Sequence, residues 1–282
     1  MKTLHTVAEL QSLRADWRAR GERVAVVPTM GNLHSGHLAL VRHARRIARR
    51  VVVTIFVNPL QFGPNEDFGR YPRTLPEDLK ALAGLGVDLV YAPPVEEVYV
   101  NGFPPATTIT VAPLSSQLEG HFRPGFFTGV ATVVAILFDS VQPDIAVFGE
   151  KDWQQLQIVT RMVADLRMGI AIVGHPTARD DDGLAMSSRN QYLNAEERAR
   201  APAVHASLQA VAAGLRAGRR DLESLCDEAS AALRQQGFVT QYLEVRTPAL
   251  DPPIASTRDF VVLVAAVLGT TRLIDNLRVT LD

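Results

Sequence analysis

His34 and His37 stand three residues apart in PTMGNLHSGHLALV (residues 28–41), with Ser35 and Gly36 between them. An apolar run leads into this segment and a helical pattern leads out. If a helix begins near Ser35, its first backbone N–H groups form an anion site at the end of the preceding strand. Gly31 and Gly36 let a bulky ligand approach the backbone closely. The two imidazoles would then stand beside bound phosphates and donate hydrogen bonds as charge develops on them. The dinucleotide loop G-x-G-x-x-G and the P-loop G-x-x-x-x-G-K-[ST] are both absent. The spacing also differs from a zinc-protease helix, which needs histidines four apart and a Glu after the first. An H-x-x-H metal pair and a purely structural pair of turn histidines remain as alternatives.

Two further segments carry polar groups suited to phosphate. FGEKDWQQL (148–156) falls where a strand gives way to a helix. Gly149 gives room there, and Lys151 offers a point charge. Asp152 is placed like a helix N-cap, or to meet a ribose hydroxyl or Mg²⁺-bound water. Gln155 follows about one turn into the helix. ARDDDGLAMSSRN (178–190) supplies Ser187, Ser188 and Arg189 in a loop, and arginine binds phosphate oxygens bidentately. An exposed pair at a helix start and a polar linker are the bland readings of these two stretches.

The elements that must position these groups follow from the pattern. The chain has 282 residues, 47% hydrophobic and 21% charged, with a net charge of −1. These values describe a globular protein of one or two domains and argue against a general nucleic-acid binder. The basic run RHARRIARR (42–50) reads as the solvated face of a helix, with a phosphate-backbone patch as the alternative. One cysteine, Cys226, fits a reducing compartment. The first residues show no apolar signal region, and the longest apolar run (260–269) is too short to span a bilayer. The expected location is cytoplasmic.

Thr6 and Glu9 have capping-box spacing ahead of a helix that Gly21 stops. Strands are expected at 23–27 with Pro28 at the end, 51–57, 88–91, 107–111 (TTITV), 145–148 and 170–173. Helices are expected at 35–49, from Thr74 to Gly84 or Gly86, 125–141 and 152–167. Between the second and third strands lies a long irregular loop, LQFGPNEDFGRYPR. The strands are continuous apolar runs alternating with helices, which predicts a doubly wound α/β domain around a parallel sheet. From Ala195 to Gly237 two helical stretches are separated near Gly218, and strands follow at 239–245, 260–269 and about 271–279. This predicts a smaller C-terminal α+β domain. The expected division is 1–180 and 181–282.

H-x-G-H between a strand and a helix resembles the signature of the nucleotidylyl-transferase superfamily. Joined by IFVNPLQFGPNEDFGRYPRT (55–74), LEGHFRPG (118–125), QPDIAVFGEKDWQQL (142–156), DGLAMSSRN (182–190) and LIDN (273–276), the chain resembles the pantoate–β-alanine ligase family over essentially its whole length. That resemblance implies a Rossmann-like first domain, a smaller second one and a homodimer. It implies ATP as substrate with Mg²⁺ and two small-molecule partners, pantoate and β-alanine, and neither nucleic acid nor membrane. The implied reaction forms pantoyl adenylate and pyrophosphate, then pantothenate and AMP.

Carried over by residue, Met30, Gly31, Asn32, Leu33, His34, Ser35, Gly36 and His37 would contact ATP. So would Gly149, Glu150, Lys151, Asp152, Ala178, Met186, Ser187, Ser188 and Arg189. His34, His37, Lys151 and Arg189 would carry the catalytic load on the phosphates. Gln61 and Gln155 would hold pantoate, Gln61 also facing β-alanine, with Asn58, Glu119 and Arg123 near the substrate or the pyrophosphate. The Mg²⁺ ligands are not implied. One departure is visible: RPG is followed by Phe126-Phe127 where the family commonly has His-Phe. The rivals are another nucleotidylyl transferase, which leaves a nucleotide on a stable product, and a catalytically silent nucleotide-binding module.

Overall fold

The computed structural model describes residues 1–64 and 66–281; Asn65, within the long loop, and Asp282 lie outside the described residues. The strands are β1 (Lys2–Leu4), β2 (Val24–Thr29), β3 (Arg50–Ile55), β4 (Leu89–Tyr91), β5 (Ile145–Gly149), β6 (Ala171–His175), β7 (Phe238–Arg246), β8 (Asp259–Leu268) and β9 (Thr271–Thr280). The helices are α1 (Val7–Ala19), α2 (Ser35–Ile47), α3 (Leu75–Ala83), α4 (Val95–Val98), α5 (Glu119–Phe122), α6 (Phe126–Val141), α7 (Trp153–Asp165), α8 (Ala195–Arg200), α9 (Ala203–Arg216) and α10 (Leu222–Gln235). The chain divides into two compact units, Met1–Glu150 with Gln155–Pro176, and Lys151–Gln154 with Thr177–Asp282.

The first unit is built on a six-stranded sheet in the order β1-β4-β3-β2-β5-β6, with every pairing parallel. The expected doubly wound α/β fold is therefore present. Strand order runs one way from β2 through β3 and β4 and the other way through β5, so the sheet switches direction between β2 and β5. Ligands in such sheets gather at the carboxyl ends of the strands beside this switch. The core is made by the strands' own apolar runs, Val27, Val51, Val53, Val90 and Val147 among them, against Leu40, Val41 and Ala44 of α2. At the opposite end of the sheet, Arg50 bridges Glu22 and Asp88, each at 2.7 Å. Arg45 reaches Asp88 at 3.2 Å. Two arginines of the basic run are thus structural ties, while Arg42 and Arg49 stay exposed.

Several elements differ from the sequence expectation. β2 continues through Pro28 to Thr29, because pairing with β5 ends at Val26 and the missing proline N–H interrupts no ladder on that side. TTITV forms no strand. Its groups bond to α6 instead: the Ile109 N–H donates to Thr132 Oγ1 at 2.9 Å, and the Thr110 and Thr128 hydroxyls meet at 2.8 Å. β1 was not expected at all; it is a three-residue strand paired only with β4. The long loop contains two short 3₁₀ turns, Pro59–Gln61 and Asp67–Gly69.

The second unit folds around an antiparallel sheet in the order β7-β8-β9. Helices α9 and α10 cover it through Val204, Leu208, Val211, Leu215, Leu225 and Leu233. The helical region holds three helices rather than two, since the chain breaks at Pro202 between α8 and α9. The α+β class of this part is as expected.

Candidate functional site

In the first unit, α2 begins at Ser35 and His34 is its N-cap. The Gly36 N–H donates to His34 Nδ1 at 3.2 Å, and the His34 N–H donates to His37 Nδ1 at 3.3 Å. A ring nitrogen that accepts a hydrogen bond carries no proton, so in each neutral ring the proton sits on Nε2. The rings lie 4.1 Å apart, centroid to centroid. The site thus has two Nε2–H donors at a helix N-terminus whose first turn contains no acidic residue.

The turn that leads into this helix is held from below. Gly31 and Asn32 have φ values of +79° and +50°. Asp78, on α3 and only 3% exposed, accepts from the Asn32 N–H at 3.0 Å, the Leu33 N–H at 2.8 Å and the Thr74 hydroxyl at 3.2 Å. A Cβ on Gly31 would lie 3.0 Å from Asp78 Oδ2, so the carboxylate fits because residue 31 lacks one. Thr29 Oγ1 donates to the Thr54 carbonyl and accepts from the Gly31 N–H, linking the turn to β3. Asp78 was not singled out in the sequence. Its partners are 45 and 46 residues away, and only the Thr74–Asp78 spacing was local.

Gln61 lies against the same turn. Its Nε2 donates to Met30 Sδ at 3.0 Å, and its Oε1 accepts from Asn58 Nδ2 at 3.2 Å. Asn58 is 1% exposed and fully engaged: Nδ2 also donates to the Gly129 carbonyl at 3.1 Å, and Oδ1 accepts from the Leu60 N–H and the Tyr99 hydroxyl. Burial pushes the Tyr99 hydroxyl's pKa up, which keeps the proton that Asn58 receives. Arg123 pairs with Glu66 and Glu119, donates to the Gln61 carbonyl at 3.3 Å, and sits 3.6 Å over the Phe126 ring. Asn58 and Arg123 therefore hold Gln61 in place. Phe126, the departure noted above, makes a cation–π contact with Arg123. Gly149 ends β5, and Gln155 is half-buried at the third residue of α7.

The second unit carries the other group. Lys151 is 17% exposed and its Nζ lies 3.9 Å from the half-exposed Asp152 carboxylate. The Lys151 carbonyl accepts from Asn276 Nδ2 at 2.8 Å. The Met186 N–H donates to the Ala178 carbonyl, closing the base of the serine loop. Ser187 caps a 3₁₀ turn, Ser188–Tyr192, by accepting from the Arg189 N–H at 3.2 Å. Arg179 and Asp275 form a bidentate pair at 2.6 and 3.0 Å within the same unit. Cys226 is 9% exposed, and burial pushes its thiol up to about 11, which disfavours the thiolate near neutral pH. Among the described residues, no group of three or more His, Cys, Asp or Glu could hold a metal ion. Nor, among them, is any helix long and apolar enough to cross a membrane.

A parallel α/β sheet with a helix N-terminus beside its switch point is a ligand-binding fold of the doubly wound class. The chain matches the family model for pantoate-beta-alanine ligase over residues 2–278. It is 54% identical to the pantothenate synthetase of Thioalkalivibrio sulfidiphilus across 100% of this chain and 99% of that protein. The crystal structure of pantothenate synthetase from Thermus thermophilus is similar with a TM-score of 0.91 and 48% identity, covering 98% of this chain and 99% of that one. A pantoate-beta-alanine ligase from Francisella tularensis, solved with beta-gamma ATP and beta-alanine, matches with a TM-score of 0.80 and 30% identity over 98% and 97%. The chain belongs to the pantoate–β-alanine ligase family, whose members are named pantothenate synthetase.

Proposed function

We propose that this chain condenses pantoate with β-alanine at the expense of ATP, through pantoyl adenylate. A pantoate carboxylate oxygen attacks the α-phosphorus, and the bond to the pyrophosphate oxygen breaks. The β-alanine amine then attacks the acyl carbon, loses a proton, and AMP leaves with the acyl–oxygen bond pair. The observation that carries this reading is the pair of histidines at the start of α2, each accepting a backbone N–H at Nδ1, with Gln61 bonded to Met30 of the same turn. Met30 to His37, Gly149 to Asp152, Ala178 and Met186 to Arg189 are the proposed ATP contacts. Gln61 and Gln155 hold pantoate, with Asn58 and Arg123 acting through Gln61.

The first step brings a carboxylate toward a polyanion, so it needs neutralising charge and fixed geometry rather than a protein nucleophile. The histidine donors, Lys151 and Arg189 supply charge to the phosphates. Asp152, half-exposed beside Lys151, suits the water shell of an ion that travels with the nucleotide. Mg²⁺ bound to ATP would neutralise phosphate charge. The expected working form is a homodimer in the cytoplasm.

The test is release of pyrophosphate and AMP from Mg-ATP. Pyrophosphate release that requires pantoate, with steady AMP turnover only when β-alanine is present, supports the reading. ATP binding without pantoate-dependent pyrophosphate release, or a nucleotide left on a stable product, would overturn it.

A further inference from the structure

LIDN, at 273–276, carries no substrate role in the reading above, yet two of its residues reach both parts of the second unit's candidate phosphate machinery. Asn276 Nδ2 donates to the Lys151 carbonyl at 2.8 Å, across 125 residues of chain. Asp275 accepts both arms of Arg179 at 2.6 and 3.0 Å. Arg179 in turn donates to the Gly183 carbonyl at 3.0 Å and the Asn276 carbonyl at 3.3 Å. It also forms the β-bridge with Ala185 that closes the stem of the loop ahead of Ser187. The Asn276 N–H donates to Asp275 Oδ1 at 2.8 Å, locking the two residues to one another.

Both residues are buried, at 4% and 6% exposure. Asp275 shares the inward face of β9 with Thr271 and Leu273. A carboxylate at such a position costs stability unless its partners are well placed, and an apolar residue would serve the core as well or better. His205 Nδ1 also faces Asp275 Oδ2, at 3.6 Å. The polar pair therefore does something packing does not require, and its bonds end at Lys151 and at the base of the serine loop.

We propose that Asp275 and Asn276 are positioning residues for adenylation, with β9 fixing the Lys151 backbone and the Ser187–Arg189 loop against a single strand. This rests on the phosphate roles given to Lys151 and Arg189 above. The test is a pair of double-mutant cycles, Asn276→Ala with Lys151→Ala and Asp275→Asn with Arg189→Ala. The readouts are pantoate-dependent pyrophosphate release and melting temperature.

Asn276→Ala is expected to lower kcat roughly 10- to 100-fold and raise KM for ATP. KM for pantoate should stay within about twofold. The double variant should be no more than about twofold slower than Lys151→Ala alone, because both changes act through one group. Asp275→Asn and Arg189→Ala should combine in the same way. If Asn276→Ala does not fold, Asn276→Asp keeps the size, lacks the Nδ2 donor and runs the same cycle. Effects that multiply, or a single variant with wild-type kcat and KM, would overturn the proposal while leaving the ligase reading intact. Lys151→Ala and Arg189→Ala turning over at the wild-type rate would instead remove the phosphate roles, and the proposal with them.

Discussion

Gly129→Ala tests whether the turn carrying Gln61 is held by close backbone contact. A Cβ at residue 129 would lie 2.5 Å from the Leu60 carbonyl oxygen, 2.7 Å from the Leu60 carbonyl carbon and 2.9 Å from Gln61 Cα. Ordinary contacts begin near 3.4 Å, so α6 and the Pro59–Gln61 turn must separate by about 0.9 Å. All three atoms are backbone, and no rotamer change relieves the clash. Overpacking of this kind costs about 1–3 kcal/mol. Alanine's better helix propensity returns about 1 kcal/mol, leaving a net loss of about 0–2 kcal/mol. Stability is thus a poor readout, and kinetics is the better one.

The same shift strains the bond from Asn58 to the Gly129 carbonyl and moves the Gln61 carboxamide. Misplacement by about 1 Å costs on the order of 10²-fold in rate. The expected result is a fall of that size in kcat/KM for pantoate, with ATP binding by calorimetry little changed. Gly69→Ala, in the same loop but with open space around it, is the control. Wild-type kinetics in Gly129→Ala, or equal losses in both variants, would refute the reasoning.

His37→Ala should slow pantoyl adenylate formation about 10²–10³-fold, or about 3–4 kcal/mol, measured in a single turnover; an unchanged rate would remove its role on the phosphates. Gln61→Ala should weaken pantoate far more than ATP in equilibrium binding, because a site that loses a hydroxyl partner discriminates strongly. Asp78→Ala strands two turn N–H groups and should lower unfolding free energy by about 2–4 kcal/mol in urea, together with a higher KM for ATP. Cys226, with its thiol raised to about 11 by burial, should resist iodoacetamide at pH 8 in the native protein. It should react when the chain is unfolded in urea, since only the thiolate alkylates and its fraction grows as pH rises toward the thiol's pKa.

Much of the fold could be read from local pattern. The valine-rich runs of β2 and β3 gave buried parallel strands, and the Thr6–Glu9 and Ser35 signals placed the starts of α1 and α2 correctly. The features that escaped were those decided by a distant partner. TTITV has strand periodicity, yet its neighbours are the hydroxyls of Thr128 and Thr132 on a helix. β1 has too few residues to show a period and exists because β4 offers an edge. Pro28 reads as a strand end, and only the early end of the β5 pairing explains why the strand continues. Asp78 looks like an ordinary first-turn helix acid until the Asn32 and Leu33 N–H groups are seen above it. The histidine motif was legible because its residues are adjacent, whereas the Lys151–Asn276 link joins the two ends of the second unit's chain.

The hydrogen bonds to Nδ1 of His34 and His37 explain why imidazole, rather than a stronger cation, occupies both positions. Each ring is a rigid two-ended strut that receives a backbone N–H on one edge and presents an N–H on the other. Serine or asparagine could cap the helix but is too short to reach as far outward. Lysine or arginine could reach outward but has no acceptor for the cap. The motif is therefore poorly exchangeable, and neither ring could be swapped without rebuilding the helix start.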